Sequence, residues 1–450
     1  MLSEFRERLV QQGQEERLLD PLLERCRERG WLRGGGRART DSSHVVAAIR
    51  ALNRLQVVGE TLRHTLGTLA GVAPDWLRTH LPATYAERYG RRFDVGRLPR
   101  QAAEQAALAT QIGADGSAVL AALGLPDAPV GAAMLPAVVT LRLVWLQQYY
   151  APDDEGQQGW RAATDLPPAG VAINSPYDVE ARYSHKRDTV WVGYKDHFTE
   201  TCDAERPHLI THVATTPGTT ADNDVTDQIH RDLAAKQLTP NEHLVDEGYT
   251  DAALLVSSQQ HGITLVGPVR QDHSRQAQEQ AGYDLTRFTI QWQDQQVVCP
   301  NGRTSAVWSP ATNTDEEPVI RVTFARADCR ACPVRADCTT AKDGPRRLTL
   351  RPQPEHEALH AARQHQSTAA FQTVYAGRAG VEGTIAQAVG AGGARHARYR
   401  GLAKTHLQAV ATAVAINLHR LWDWQHDPTP FLAHRSPLSS LWQTTTPATC

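Results

Sequence analysis

Hydrophobic residues follow helical spacing over the first third of the chain. Leucines within residues 18–23 lie among Glu and Arg at the intervals of an amphipathic helix, and Pro21 is predicted to break the helical segment of residues 1–30. From about residue 52 to residue 150 the pattern is mostly helical and rich in Ala and Leu. Four prolines are predicted to separate the helices of this stretch: Pro74, Pro82, Pro99 and Pro126. We therefore predict a helical layer or insertion there.

A short extended piece precedes this helical layer. Residues 38–52 read ARTDSSHVVAAIRAL, and we predict an extended conformation around Asp41 followed by an apolar helical run. Periodicity leaves open whether Val45 and Val46 belong to the strand or to the helix.

The pattern changes after the proline-containing loops near residue 170. Residues 189–203 and 208–216 are rich in β-branched and aromatic residues, which is typical of neighbouring strands. Helical and strand patterns then alternate through residues 224–270. Such alternation indicates an α/β sheet with parallel members.

The composition is that of an ordinary globular protein, with 450 residues of which 41% are hydrophobic and 21% are charged. The N-terminus is charged from its fourth residue and lacks the apolar core of a signal peptide, so no export is expected. The most apolar stretch, residues 129–146, is interrupted by Pro136 and Arg142. It falls short of the roughly 20 apolar residues that cross a bilayer, which argues against a membrane protein.

Positive charge is concentrated near the C-terminus, although the formal net charge of the chain is only -2. Between Arg378 and Arg420 there are six basic residues and a single acid, Glu382. A neutral protein with such a segment can still bind a polyanion. Arginines make up 42 of the 47 basic residues, a bias that suits phosphate contact and equally follows from GC-rich coding sequence.

Two carboxylates stand at positions suited to chemistry. Asp246 ends the short apolar segment HLVDEGY, and an acid at the C-terminal edge of a buried strand points into the crevice where α/β sheets bind ligands. The alternative is an ordinary turn aspartate. Glu382 follows Tyr375 and Arg378 at spacings that would place all three on one helix face. Such a face can serve a metal-bound phosphate, and its alternative is a surface ion pair.

The spacing Y-x2-R-x3-E after a strand-end D-x-G-Y resembles the DDE transposases of bacterial insertion sequences. The resemblance is to the insertion-sequence-four superfamily (IS4-like), in particular the group numbered eleven-eighty-two, and covers about residues 3–425. Its segments stand in the same order as in the family: TDSSHVVAAIRALNRL, SPYDVEARYSHKRDTVWVGYKDHFTETCD, HLVDEGY, GPVRQD, RAGVEGTIAQAV and RYRGLAKTHLQ.

The resemblance implies an α/β fold with an RNase H-like catalytic core, in which three acids hold two divalent ions, Mg²⁺ or Mn²⁺. The acids that match the family pattern are Asp41, Asp246 and Glu382. Asp178 and Asp203 also lie beside predicted strands and stay open as alternatives for the first acid. Carboxylates suit these hard cations, and a pair of ions can activate a water or a 3′-hydroxyl and stabilise the leaving oxygen.

The same resemblance assigns auxiliary roles to Arg378 and Tyr375, which would hold a phosphate near the cleaved end. It implies cleavage at the element's ends and joining to target DNA, by at least a homodimer on paired ends. The terminal repeats and the target would be the DNA partners, no membrane would be involved, and the protein would act in the cytoplasm at the nucleoid.

Four of the seven cysteines are clustered in sequence: Cys299, Cys329, Cys332 and Cys338. One C-x2-C pair with two further cysteines is a four-thiolate pattern that suits structural Zn²⁺. Free structural thiols are the alternative. The resemblance places this segment before the glutamate helix, with a structural or DNA-contacting role.

A basic segment follows the glutamate helix, with aromatic and His residues between its charges. Its predicted DNA-contacting residues are Arg395, Arg398, Arg400 and Lys404. The alternative is a solvated basic loop followed by a helix start.

Two departures from the family pattern stand out. The chain opens at LSEFRERL, which looks like the last part of the family's N-terminal helical domain. Val389 and Gly390 stand where relatives often carry a basic residue. We therefore keep two alternatives to an active transposase, namely an RNase H-like nuclease without joining activity and a truncated, inactive transposase that only binds DNA.

Pattern and resemblance together predict an RNase H-like core with a helical insertion after the first strand and a cysteine-rich β-type insertion before the glutamate helix. The predicted regions are a remnant of an N-terminal helical domain (1–35), the first core strand region (36–51), the helical insertion (52–165), the core (166–270), the cysteine-rich insertion with its possible zinc site (271–350), C-terminal helices with the glutamate and the basic segment (351–425), and a loose tail (426–450).

Overall fold

The computed structural model describes residues 2–94, 96, 98–151 and 158–426. Apart from His426, the predicted loose tail lies outside the described residues. The α-helices of the described part are α1 (Leu2–Gln11), α2 (Asp20–Glu28), α3 (Arg54–Val72), α4 (Pro74–His80), α5 (Thr84–Tyr89), α6 (Ala102–Ala122), α7 (Pro136–Gln148), α8 (Thr226–Ala235), α9 (Ala252–Gln260), α10 (Arg275–Glu279), α11 (Arg326–Arg330), α12 (Arg335–Cys338), α13 (Gln353–His365), α14 (Ala369–Tyr375), α15 (Gly380–Gly390) and α16 (Leu402–His426). None of them is long and apolar enough to cross a membrane.

Six strands form the main sheet: β1 (Arg37–Val46), β2 (Arg182–Lys186), β3 (Thr189–Thr201), β4 (Ile210–Pro217), β5 (Glu242–Leu244) and β6 (Thr264–Val266). The strand order is β2-β3-β1-β5-β6. Strand β4 pairs with the same edge of β3 as β2 does, but further along β3. Strand β3 is antiparallel to β1, β2 and β4, whereas β5 and β6 run parallel to β1. The predicted α/β sheet with parallel members is therefore confirmed as a mixed sheet.

Strand β1 settles the open question about its end, because Val45 and Val46 pair with β3 as strand residues. Their partners are Tyr194 and Gly193. A Cβ atom on Gly193 would overlap the carbonyl oxygen of Val45, so this crossing requires glycine. Close approach of the two backbones thus fixes the register of β1.

The main hydrophobic core lies between the sheet and the helices α2, α8, α9 and α16. Phe198 and Ile210 of the sheet, Ile229 of α8 and Val410 of α16 are buried in this one cluster. Burial of each such side chain stabilises the fold by roughly 1.5–3 kcal/mol. The cluster attaches the long helix α16 to the face of the sheet.

Helices α3 to α7 have a core of their own. Leu62, Ile112, Leu141 and Trp145 are almost completely buried there. The four helix breaks predicted at prolines are confirmed. α4 begins at Pro74, and the other three prolines lie between helices. The helical layer therefore packs as a unit. In sequence it lies between β1 and β2.

The break expected at Pro21 is confirmed, because α2 begins at Asp20, directly before this proline. Pro21 lies in the first turn of α2, where a missing backbone N–H costs no intrahelical hydrogen bond. A further break, which no proline marks, follows α1 near Gly13, a residue with a left-handed backbone.

Five further strands form two small sheets: β7 (Thr289–Gln291), β8 (Gln296–Val298), β9 (Ser305–Thr312), β10 (Pro318–Phe324) and β11 (Arg347–Leu350). β7 pairs with β8, and β10 lies between β9 and β11. Phe288, Val297, Val322 and Phe324 form their shared core. Three of the clustered cysteines pack against this core: Cys299, Cys329 and Cys338.

A chain of buried histidines crosses the sheet beside the main core. His243 Nε2 lies 2.6 Å from Thr40 Oγ1, and His243 Nδ1 lies 2.8 Å from His230 Nε2. Burial lowers the pKa of His230 and of His197 to about 4, and it lowers the pKa of His243 well below the usual value. These side chains are therefore neutral in the folded protein.

We expect the free energy of unfolding to fall as the pH drops from about 6.5 towards 4. In this window the unfolded chain binds protons at these histidines and the folded chain does not, at a cost of roughly 3 kcal/mol for His230 and for His197. Asp196 acts with the opposite sign, because burial raises its pKa to about 7. Denaturant unfolding at pH 7, 5.5 and 4.5 measures the slope, which should be shallower in His230→Gln than in wild type. Equal slopes would contradict this origin.

Candidate active site

Two aspartates are brought together by the pairing of β1 with β5. Arg39 lies opposite Leu244 in the parallel ladder, and Asp41 and Asp246 each stand two residues further on. Asp41 Oδ1 accepts a hydrogen bond of 2.8 Å from the Ser42 N–H. Asp246 Oδ1 accepts one of 2.9 Å from the Gly248 N–H, in the turn that follows β5. Parallel pairing therefore places both carboxylates at one edge of the sheet.

Arg378 links these aspartates to the glutamate. Its Nη2 lies 2.8 Å from Asp41 Oδ2 and 3.8 Å from Asp246 Oδ2, and its Nη1 lies 3.4 Å from Glu382 Oε1. Glu382 stands in the first turn of α15 and is the exposed member of the set, with 68% of its side chain accessible. The structure thus gathers all three predicted acids around one guanidinium.

Negative charge exceeds positive charge in this cluster. Burial raises the pKa of Asp41, with a contribution from the nearby Asp246, although the charge of Arg378 acts in the opposite direction. Burial would lower the pKa of Arg378, but the attraction of Asp41 and of the other acids outweighs it, so the pKa is raised. Arg378 Nε is buried and has no hydrogen-bond partner among the described residues. One guanidinium therefore does not neutralise the three carboxylates.

The donor set fits a hard divalent cation, because carboxylate oxygens are the ligands that Mg²⁺ and Mn²⁺ prefer. Across the described ranges, no group of three or more His, Cys, Asp or Glu side chains is arranged to hold a metal ion. Here the acids are spaced around the guanidinium of Arg378.

Tyr375 lies beside the acids at the end of α14. Its ring stacks on Phe371, with 5.3 Å between centroids, and both pack near Leu244 at the end of β5. Burial raises the pKa of Tyr375, with contributions from the charges of Asp246 and Asp41. The phenol therefore stays protonated and can donate a hydrogen bond.

The prediction that Tyr375, Arg378 and Glu382 share one helix face is confirmed in part, because Arg378 and Glu382 form an i, i+4 ion pair but no single α-helix carries all three residues. α14 ends at Tyr375, residues Ala376–Ala379 form a 3₁₀ turn, and α15 begins at Gly380. The carbonyl of Gly377 in this turn accepts a hydrogen bond of 2.7 Å from Arg39 Nη1. The turn aims Arg378 at the aspartates.

The two alternative aspartates have other partners. Asp178 is buried and accepts hydrogen bonds from the Tyr194 hydroxyl at 2.6 Å and from the Gly401 N–H at 3.1 Å. Asp203 accepts one of 3.0 Å from the Arg37 N–H. Neither forms an ion pair with Arg378 among the described residues. The geometry brings Asp41, rather than these two, to the other acids.

A buried ionic network supports the cluster from behind. Glu200 of β3 is fully buried and accepts hydrogen bonds from Arg39 Nε at 2.6 Å and from Arg420 Nη1 at 2.5 Å. Thr384 of α15 donates a further one of 2.5 Å to Glu200 Oε2. A Cβ atom on Gly380 would overlap the guanidinium of Arg39, so glycine lets α15 begin against β1. One carboxylate therefore joins β1, β3, α15 and α16.

A groove of about 310 Å³ opens at the acids. Asp41 and Glu382 line it together with basic and aromatic side chains: Lys186, Trp191, Lys195 and Arg395. Lys195 Nζ donates a hydrogen bond of 3.0 Å to Asp222 Oδ1, and that oxygen also accepts one of 3.3 Å from Ser42 Oγ. Asp222 is thus a further acid beside the cluster, which no local sequence signal singled out.

The four predicted DNA-contacting residues lie at different places on the protein. Arg395 lines the groove and donates to Ser43 Oγ at 3.1 Å, and Arg400 is exposed over the ring of Tyr177. Arg398 lines a separate cavity beside α1, and Lys404 pairs with Glu7 of α1 at 3.1 Å. Of these four, only Arg395 lines the groove of the acids.

The clustered cysteines lie near one another at the edge of the small sheets. Burial raises the pKa of the Cys338 thiol, and the three other cysteines contribute to the shift. Cys299 Sγ accepts a hydrogen bond of 3.3 Å from the Arg303 N–H, and Cys329 Sγ accepts one of 3.4 Å from the Arg346 N–H. Backbone N–H donors of this kind suit sulfur atoms that carry charge as metal ligands.

Comparison with known proteins agrees with this chemistry over part of the chain. Residues 298–422 match the family model described as a transposase DDE domain. No curated protein matches the chain. The matched residues include Arg378, Glu382 and the basic segment, whereas Asp41 and Asp246 stand outside them. The domain match supports a DDE transposase, an enzyme family that acts on DNA and normally uses divalent metal ions.

Proposed function

We propose that this protein cleaves DNA at the ends of an insertion sequence and joins the cut ends to target DNA. Asp41, Asp246 and Glu382 would be the acids of the DDE site, and two Mg²⁺ or Mn²⁺ ions its cofactors. The observation that carries the proposal is the convergence of these three carboxylates, far apart in sequence, on Arg378, beside an open groove that Asp41 and Glu382 line. The match of residues 298–422 to a transposase domain supports it independently.

The strand order supports an RNase H-like core. Three antiparallel strands, β4, β3 and β1, are followed across the sheet by β5 and β6, which run parallel to β1. In this interpretation α3 to α7 form the insertion after the first strand, and residues 271–350 form the insertion before the glutamate helix.

The side chains of the groove suit phosphoryl transfer. Bound divalent ions would activate the attacking oxygen of a water or a 3′-hydroxyl and stabilise the leaving oxygen. Arg378 would contact a non-bridging phosphate oxygen through its fork of donors, and Tyr375 would donate a hydrogen bond. Lys186 and Arg395 line the groove and would bind the flanking backbone phosphates. Such contacts hold the scissile phosphate in line with the attacking oxygen.

Product analysis on a donor duplex that carries the flanking repeat of the native locus tests the proposal. With Mg²⁺ or Mn²⁺, the wild type should cut at the repeat and join the free 3′-hydroxyl to a target duplex. Cutting without joining would indicate a nuclease. Binding without cutting under either metal would indicate an inactive transposase, and either result contradicts the proposal.

We also propose that the protein acts as a homodimer on paired DNA ends.

A further proposal concerns the clustered cysteines. We propose that one structural Zn²⁺ is bound by Cys299, Cys329, Cys332 and Cys338. Purified protein should then contain about one zinc per chain, since a four-thiolate site holds a single ion. Cys332→Ser should lose the metal, while Cys202→Ser, outside the cluster, should keep it. Metal analysis measures both, and a zinc-free wild type whose stability is unchanged by a chelator contradicts the site.

A further inference from the structure

A second cavity, of about 670 Å³, lies beside the groove of the acids. Its walls come from the end of β1, from α3 of the helical layer and from the basic segment after α15. None of the three acids lines it. Four arginines do, and we call them the arginine pocket: Arg50, Arg63, Arg92 and Arg400.

One buried carboxylate organises this pocket. Glu60 of α3 is 1% exposed and accepts hydrogen bonds from the Phe93 N–H at 2.6 Å and from the Tyr177 hydroxyl at 2.5 Å. Arg63 donates to Glu60 Oε2 from Nε at 3.0 Å and from Nη2 at 2.9 Å. Arg50 Nη2 donates to the Phe93 carbonyl at 3.0 Å. The guanidinium groups of Arg50 and Arg63 are therefore fixed in place around a built site.

The pocket retains positive charge. Among the residues that the structure describes, the acids that pair with its four arginines are Glu60 and Asp94. Arg92 and Arg400 are exposed, and no ion pair to either is formed within the described ranges. Arg400 lies over the Tyr177 ring, 5.4 Å from its centroid. Guanidinium forks with unused donors are suited to a phosphate group.

The arginine pocket continues the groove of the acids along β1. Arg395 lines the groove, the next residue, His396, lines the pocket, and Val46 pairs with His396. Asp41 and Val46 are five residues apart on one strand, which spans about 17 Å at the rise of an extended strand. About 17 Å along duplex DNA corresponds to roughly five base pairs.

We infer that the arginine pocket binds a backbone phosphate of the same DNA, roughly five base pairs from the bond that the acids would cleave. The inference rests on the proposed function and extends it, because it gives the helical layer a share in substrate binding through Arg63 and Arg92. A free phosphate or nucleotide offers the same chemistry, and the test separates these sources.

The test compares wild type with the double variant Arg92→Gln/Arg400→Gln, in which both altered side chains are exposed. The matched control is Arg78→Gln/Arg142→Gln, which removes two exposed arginines of the same helical layer. Each protein binds a long duplex with the cleavage site at its centre, over a range of salt concentrations without divalent metal. Binding is also measured on two shortened duplexes. One ends about three base pairs from the cleavage site on its first side, and the other ends about three base pairs from it on the opposite side.

On the long duplex, the slope of log K against log salt should be smaller by about one in the pocket variant and unchanged in the control. One of the shortened duplexes lacks the phosphate that the pocket would bind. On that duplex, wild type and pocket variant should bind with the same affinity. Equal slopes on the long duplex overturn the inference and leave the transposase proposal standing. Weaker binding of inorganic phosphate by the variant, with unchanged DNA slopes, assigns the pocket to a free anion and also overturns it. A wild type that binds no DNA overturns both.

Discussion

Replacing Asp41 with asparagine is expected to reduce metal-dependent DNA cleavage about a thousandfold, which corresponds to roughly 4 kcal/mol of activation free energy. The amide keeps the shape of the side chain but removes the charge that would hold a divalent ion. Arg378 retains Asp246 and Glu382 as partners, so the fold and DNA binding should persist. Initial cleavage rates with Mn²⁺, measured beside DNA affinity, test this expectation.

Asp203→Asn is the matched control for Asp41→Asn. Both aspartates lie at the same sheet and each accepts a backbone hydrogen bond, but Asp203 lies outside the cluster around Arg378. Asp203→Asn should therefore cleave like wild type. Loss of cleavage in Asp203→Asn with normal cleavage in Asp41→Asn would move the first acid to position 203.

Glu200→Ala is expected to lower the free energy of unfolding by about 3–5 kcal/mol. The substitution leaves the guanidinium groups of Arg39 and Arg420 without their shared carboxylate, and both are more than nine-tenths buried. Removing one partner of a buried ionic network costs far more than the network contributes relative to apolar residues. Chemical denaturation measures the change in unfolding free energy.

Glu24→Ala provides the control, because Glu24 pairs with Arg27 at the surface of α2 with 61% of its side chain exposed. Surface ion pairs contribute about 0–1 kcal/mol, so that variant should unfold like wild type. A Glu200→Ala protein as stable as the Glu24→Ala protein would show that the buried network is not coupled to folding.

Much of the fold follows from local signals in the sequence. Alternation of strand and helix patterns after residue 224 predicts the parallel members of the sheet, and each of the four helix breaks coincides with a proline. Such features depend on neighbouring residues only. The additional break near Gly13 was not predicted, because no proline marks it in the sequence.

The site is harder to read from sequence, because its geometry is tertiary. Asp246 and Glu382 carry local signals, whereas the contact of Arg378 with Asp41 arises only when α15 packs on β1. Glu200 and Asp222 carry no signal, since a charged residue in a strand or a loop is normally solvated. In the 3₁₀ turn before α15, the Gly377 carbonyl accepts a hydrogen bond from Arg39, which is distant in sequence.

Cleavage by wild type and by Asp246→Asn in one assay tests the central claim most directly. Both proteins are mixed with a duplex that carries the flanking repeat of the native locus, and cleavage and binding are measured on the same samples with and without Mn²⁺. We expect wild type to cut only with metal, and Asp246→Asn to bind equally well without cutting. Equal cutting by the two proteins would contradict a carboxylate metal site built from Asp41, Asp246 and Glu382.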